Sequence, residues 1–286
     1  MPKVKATPQR PRFLCIGAAK AGTSWFHKMF GQHPDVWMTL LKETHYFDGR
    51  FGEAVKVPAR AIRKRTTARA EQAARRSGPL SANAVYWEAL TRQIWTPEWY
   101  ENAFTHPDAM GRVCGESTPA YCALPNDGIR AIWEELPGIR LIHFIRDPVA
   151  RMLSGMQMDA SMKGYSPDDP PEPEWWEKRA FAKGMLARGD YADQIPRWHA
   201  VFPAERILYV PFGDLKTDPL GVLRRIEKHL DLPAAQYDVP KISKPVHVGT
   251  RYHVPTPVKD ALEERLAPQW AFLMDHFPQE FCKRLS

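Results

Sequence analysis

The stretch FLCIGAAKAGTSWF, residues 13–26, constrains the fold more than any other part of the 286-residue chain. A short apolar run ends at Gly17, a turn of small residues carries Lys20 and Gly22, and an amphipathic stretch follows with Trp25, Phe26, Met29 and Phe30 on one face. Apolar strand, glycine turn and helix in direct succession form a unit of parallel α/β sheets, because the helix carries the chain back over the sheet. At such a junction backbone N–H groups and the positive end of the helix dipole converge, which suits an anion. A Walker A loop would place lysine and then serine or threonine after its second glycine. Here Gly22 is followed by Thr23 and Ser24, and the lysine stands two residues before the glycine. The loop reads as a grip for some other phosphate ligand.

The rest of the chain repeats the alternation. Strand-like runs occur at 36–39, 112–114, 140–145 and 206–210. Asp147-Pro148 and Asp218-Pro219 are helix starts, a capping carboxylate before a proline at the first helical position. Val149, Met152, Leu153 and Met156 make the buried stripe of the first helix, and Val222, Leu223, Ile226 and Leu230 that of the second. Residues 258–277 read as a helix interrupted at Pro268. The predicted architecture is a P-loop-like three-layer α/β fold, with a central, mostly parallel sheet flanked by helices. It forms a single domain over residues 12–286 behind a disordered basic start, 1–11. Two stretches break the pattern: a long insertion at 49–110 and a proline-rich acidic loop at 164–179.

Composition excludes several classes. No apolar run approaches the ~20 residues of a membrane span, and no signal-peptide core follows the basic start, so the expectation is a soluble, cytoplasmic protein with no membrane partner. Cys15, Cys114, Cys122 and Cys282 form no C-x-x-C pair and read as buried reduced thiols. The ten histidines show no metal-ligand spacing, so no metal site is expected. A net charge of +7 favours anionic ligands. Residues 60–76 carry seven basic side chains and one acidic one on a helix-forming background, either a solvated face or a positive rim for an anionic substrate. No recognised nucleic-acid module accompanies that charge, and no nucleic-acid partner is expected. Nothing in the sequence sets the oligomeric state.

Walker-type sites hold Mg²⁺ partly through an aspartate at the end of a nearby apolar strand. The strand 141–145 ends instead in Arg146, followed by the capping Asp147. Cationic side chains thus stand where a metal site would need a carboxylate.

These motifs resemble the 3′-phosphoadenylyl sulfate (PAPS)-dependent sulfotransferases over about residues 12–255. K-A-G-T-S at 20–24 is similar to the family's 5′-phosphosulfate loop, and I-R-D-P-V-A-R-M-L-S at 145–154 to its 3′-phosphate motif. H-P-D-V at 33–36, K-E-T-H-Y-F-D at 42–48 and E-S-T-P-A-Y at 116–121 resemble the heparan sulfate glucosaminyl branch and its bacterial relatives. The resemblance implies PAPS as sulfuryl donor, 3′,5′-bisphosphate (PAP) as product and no metal. Lys20, Ala21, Gly22, Thr23, Ser24 and Trp25 would bind the phosphosulfate end, Lys20 also stabilising the leaving phosphate. Arg146 and Ser154 would bind the 3′-phosphate, with Arg251 and Lys244 closing over the nucleotide.

The resemblance further places the general base at Glu43, with Lys42, His45, Asp48 and Ser117 lining the acceptor side. His45 is a rival base, since histidine titrates nearest neutrality. The related branch carries lysine where Ser117 stands, and Lys42 is the candidate to replace that cation. The late loop has V-G-T-R at 248–251 in place of a K-G-R stretch. The implied acceptor is a hydroxyl or amine of a carbohydrate or small molecule, and the insertion would lie on its side. Aromatics at 86–100 and Trp175-Trp176 would offer either sugar-stacking surfaces or core. Two other classes fit some of the same residues: a P-loop small-molecule kinase using Mg-ATP, and a non-catalytic anion- or nucleic-acid-binding protein.

Overall fold

Phe13–Gly17 (β1) is the middle strand of a five-stranded, all-parallel sheet in the order β2-β3-β1-β4-β5. Its companions are Val36–Met38 (β2), Val113–Ser117 (β3), Arg140–Ile145 (β4) and Ile207–Pro211 (β5). The computed structural model describes residues 9–246 and 248–286. The expected disordered start falls mostly on residues 1–8, outside the described residues. Arg10 is tied down, because its guanidinium donates to the Glu101 carboxylate and the Glu135 carbonyl, both at 3.0 Å.

Successive residues of a strand face opposite sides, and β1 uses both faces for core. Phe13 and Cys15 pack with Phe26 and Phe30 of Thr23–Phe30 (α1) on one side. Leu14 and Ile16 pack on the other with residues of the insertion. That insertion folds as Tyr46–Phe51 (α2), Ala59–Ser77 (α3), Ala82–Ala89 (α4) and Pro97–Asn102 (α5). Its Tyr86, Trp87, Trp99 and Tyr100 are buried. They are core, so the stacking role considered for them from sequence does not hold.

Beyond β3 come Asn126–Glu135 (α6), Pro148–Met162 (α7), Pro173–Ala180 (α8), Lys183–Ala187 (α9) and Tyr191–His199 (α10). Asp147 caps α7 as expected, accepting from the Ala150 amide at 2.5 Å. Its buried stripe differs from the expectation. Val149 and Leu153 are half-buried, and the fully buried set includes Arg151. The acidic loop is also shorter than expected, because α8 begins at Pro173. Trp176 is sealed in a third core cluster, its indole N–H donating to Pro171 O at 3.1 Å, and is no stacking platform.

Asp214–Thr217 (α11), Pro219–His229 (α12), Val239–Ile242 (α13), Thr256–His276 (α14) and Gln279–Cys282 (α15) complete the chain. Asp218 caps α12, accepting from Gly221 N at 2.9 Å. Pro268 does not interrupt α14. It sits on the exposed face, while Leu262, Leu266 and Leu273 bury both halves of the helix and hold it continuous. Beyond α15 the Arg284 carbonyl accepts from Gly213 N and the Leu285 carbonyl from Asp147 N. The four cysteines are free and buried. No helix among the described residues is long and apolar enough to cross a membrane.

One pairing limits substitution in the sheet centre. Phe13 lies opposite Gly115 in register, and a Cβ at Gly115 would stand 2.1 Å from the Phe13 ring. Overpacking of this kind typically costs about 1–3 kcal/mol. Gly115→Ala should lower the urea unfolding free energy by that amount; an unchanged midpoint would mean the ring has room to move.

Candidate functional site

In parallel α/β sheets ligands bind at the carboxyl edge, where strand order reverses. Here the reversal lies about β1, whose neighbours are β3 and β4. The loop after β1, Arg146 after β4, Ser117 at the end of β3 and the segment after β2 all meet that edge.

Gly22 caps α1 at φ 94°, in the left-handed region, and a Cβ there would come 2.1 Å from Leu215. Both conformation and space therefore demand glycine. Lys20 also has a positive φ, 70°, which is uncommon for a side-chain-bearing residue. Ala21 and Thr23 are buried, and Ser24 is half-buried. Trp25 is sealed in the core with its indole N–H donating to Ile242 O at 2.7 Å, so its ring is not free to meet a ligand.

Lys20 and Arg146 make a cationic pair. The Arg146 guanidinium lies 4.3 Å from the centre of the Phe212 ring and donates through Nη1 to Lys20 O at 2.6 Å. Its Nε is buried and has no hydrogen-bond partner among the described residues. Neither cation forms an ion pair among the described residues. Lys20 meets Met158 Sδ at 3.4 Å. Burial first, then the charges of Arg146 and Lys42, push its pKa down, against a smaller opposing effect of Glu43. Two unneutralised cations at the end of two adjacent strands are an arrangement for an anion. Ser154 is half-buried on α7, eight residues beyond Arg146. Lys244 and Arg251 are exposed on the stretch between α13 and α14, and neither side chain bonds another described residue.

The second cluster is compact. Lys42 Nζ lies 2.6 Å from Glu43 Oε1, His45 Nε2 lies 3.5 Å from Glu43 Oε2, and His45 Nδ1 lies 2.8 Å from Asp48 Oδ2. Glu43 and His45 both adopt left-handed backbone, at φ 62° and 55°. Such strain gathers at functional sites and persists where surroundings enforce it. The Glu43 amide donates to Ser117 O at 3.2 Å, and Arg65 of α3 donates to the Glu43 carbonyl. Burial opposes ionisation of Glu43, but His45 and Lys42 outweigh it and hold the carboxyl well below the usual range. Burial likewise opposes the His45 imidazolium, and Asp48 and Glu43 outweigh it to raise the group to about 9.

Two expected acceptor contacts are placed differently. Ser117 is fully buried and donates to Thr23 O at 3.5 Å, which ties β3 to the first turn of α1 and keeps it from an acceptor. Asp48 is 1 % exposed and stands behind His45, able to act through that imidazole.

The sequence reading missed several residues. Glu116 is fully buried and accepts hydroxyls from Thr44, Tyr100, Thr118 and Tyr121 at 2.6, 2.7, 2.8 and 3.0 Å. His27, on the Ser24 face of α1, has a buried Nδ1 with no partner among the described residues. Burial and then Lys42 push it down to about 4, with Glu43 opposing, so it is neutral at pH 7. Arg65 was legible as one cation in a run but not as the one that reaches Glu43.

Residues 11–236 match the family profile described as the sulfotransferase family. Heparan sulfate glucosamine 3-O-sulfotransferase 3B1 of Mus musculus is 24 % identical over 231 residues, 78 % of this chain and 47 % of the relative. Heparan sulfate glucosamine 3-O-sulfotransferase 6 of Homo sapiens is 24 % identical over 232 residues, 78 % of this chain and 52 % of the relative. The chain thus spans about half the length of these curated relatives. Among solved structures, a sulfotransferase from Alicyclobacillus acidocaldarius aligns with a TM-score of 0.66 at 20 % identity, covering 96 % of this chain and all of that one. The sulfotransferase domain of the curacin biosynthetic pathway aligns at 0.51 and 14 % identity, covering 98 % and 97 %.

The His45–Asp48 contact has a pH signature. Because the folded pKa of about 9 exceeds the ordinary 6.5, its contribution to stability is complete below about pH 6.5 and is lost as pH rises through 9. Wild type should exceed Asp48→Asn by about 1–3 kcal/mol at pH 6 in urea unfolding, and the gap should close by about pH 10. A gap independent of pH would show that His45 is not the charged partner.

Proposed function

The chain belongs to the sulfotransferase family, and on that premise we propose that it moves a sulfuryl group from PAPS to a hydroxyl or amine of a carbohydrate or small-molecule acceptor. The observation that carries this reading is the Lys20–Arg146 pair, two cations that meet no carboxylate among the described residues. PAPS presents a phosphosulfate at one end and a phosphate at the other. The residues fit that group: Lys20 and the Gly22, Thr23 and Ser24 amides and hydroxyls at the first, Arg146 and Ser154 at the second. Gly22, left-handed and packed against Leu215, permits the turn that would bring the Thr23 and Ser24 amides to the phosphate.

When bound, the donor supplies a sulfuryl group on a good leaving phosphate. Glu43 removes the proton of the acceptor as its oxygen or nitrogen bonds to sulfur. Lys20 neutralises the charge that gathers on the departing phosphate oxygen when the sulfur–oxygen bond breaks with both electrons leaving on PAP. The charge states favour Glu43 over His45 as base. Glu43 is ionised and can take a proton, though Lys42 and His45 hold it as a weak base in the free site, whereas an imidazole raised to about 9 already carries one at pH 7. His45 then orients Glu43 and is itself fixed by Asp48. Lys42, on the Glu43 carboxylate, stands beside the acceptor. Lys20 and Arg146, where a Walker site would use a metal and its aspartate, support a metal-independent transfer. Arg65 brings the basic helix α3 to the Glu43 side of the cleft, which supports an acceptor bearing negative charge. Lys244 and Arg251, both exposed, are the further cations that would close over the nucleotide. Four buried free thiols suit the reducing cytoplasm.

Thermal shift separates this reading from the kinase alternative. PAP should raise the melting temperature without Mg²⁺. Stabilisation by ATP with Mg²⁺ alone, PAP having no effect, would sink the proposal. In transfer assays with radiolabelled PAPS against a panel of glycans and small alcohols or amines, Lys20→Ala should lose about 10²–10³ in rate. Glu43→Gln should lose a comparable factor, about 10²–10⁴, while keeping the PAP shift of wild type. Loss of PAP binding in Glu43→Gln would refute the assigned division of roles.

A further inference from the structure

Arg146 sits where β4 has ended and α7 has not begun. Its backbone groups therefore belong to neither ladder. The next turn does not take them up either: the Ala150 amide goes to the Asp147 side chain and the Arg151 amide to the Asp147 carbonyl. Tyr191, fully buried at the start of α10, satisfies both. Its hydroxyl accepts from Arg146 N at 3.2 Å and donates to Arg146 O at 3.1 Å. The phenol thus joins the two peptide units that flank the Arg146 Cα, and a swing of that backbone would sweep the guanidinium across the cleft.

The support behind Tyr191 is rigid. Arg151 is 1 % exposed, donates to Met185 O at 3.0 Å, and so packs against Gly189 that a Cβ there would lie 2.2 Å from its Nε. This fixes the turn between α9 and α10 that delivers Tyr191. On the other side, Phe212 and the Lys20 carbonyl fix the Arg146 guanidinium, which forms no ion pair with any described residue.

We propose that Tyr191 is a positioning residue for the nucleotide site, whose phenol locks the Arg146 backbone so that its guanidinium is held toward the 3′-phosphate. Tyr191 touches no ligand itself; it acts through Arg146. The inference rests on the reading of Arg146 as the 3′-phosphate arginine.

Isothermal titration with PAP and with adenosine 5′-phosphate tests both separately. The ratio of the two affinities isolates the 3′-phosphate. A wild-type protein that binds the two equally well refutes the Arg146 site, and this inference with it, before any variant is made. Where wild type prefers PAP, Tyr191→Phe, which keeps the ring, should lower the ratio about tenfold and leave adenosine 5′-phosphate affinity within about twofold. In an Arg146→Ala background the same change should leave the ratio as it is. An unchanged ratio in Tyr191→Phe, a parallel fall of both affinities, or a further fall of the ratio in the Arg146→Ala background would each overturn the assignment. Amide exchange in the wild-type protein gives a second readout that needs no variant. The Arg146 amide should be protected before PAP is added, and free exchange in the nucleotide-free protein would overturn the lock.

Discussion

Removing the Glu116 carboxylate from water costs several kcal/mol, and the fold answers with four hydroxyl donors drawn from separate stretches of chain. Thr44 comes from the segment after β2, Tyr100 from α5 of the insertion, and Thr118 and Tyr121 from the turn that follows β3. These donors tie the insertion, the sheet and the Glu43–Asp48 segment to one buried group. Tyr121 extends the arrangement, accepting from the Tyr46 amide at 3.1 Å as well as meeting Thr44 at 2.9 Å. The stacked Tyr46 and Tyr100 rings, 4.1 Å apart, close it from above.

That anchorage explains how strained backbone persists nearby. Glu43 and His45 flank Thr44, the residue gripped by Glu116, and both have positive φ. A left-handed conformation at two side-chain-bearing residues would relax if the residue between them were free. Held at Thr44, the two side chains project together and reach the distance at which each fixes the other's charge. Lys20 shows the same strain on the opposite wall, enforced by the bond from Arg146 to its carbonyl. The two walls are joined by Ser117, whose carbonyl takes the Glu43 amide and whose hydroxyl reaches Thr23.

What could be read from sequence was what local chemistry decides. The strand, glycine turn and helix at 13–30 and the Asp-Pro caps at 147 and 218 depend on neighbours a few residues away. The residues that escaped depend on distant ones. Glu116 looks like any acid in V-C-G-E-S until Tyr100 and Thr44 are brought to it. The aromatics at 86–100 could have lined a cleft or filled a core, and the choice was made by packing against Leu14 and Ile16. Pro268 breaks a helix on propensity alone, yet α14 runs through it because leucines on the opposite face are buried on both sides. Ser117, where the related branch carries a cation, is packed beneath the loop, and the nearest basic side chain on the Glu43 carboxylate is Lys42.

Residues 284 and 285 pack behind the carboxyl edge of the sheet. Leu285, fully buried, accepts the amide of Asp147, the residue that follows Arg146, while Arg284 reaches Asp214 and the amide of Gly213. The carboxyl-terminal turn is therefore a wedge under the point where sheet gives way to α7. Its packing ties residues 284 and 285 to the junction from which Arg146 projects, so a change at Leu285 would reach the Arg146 backbone through the Asp147 amide.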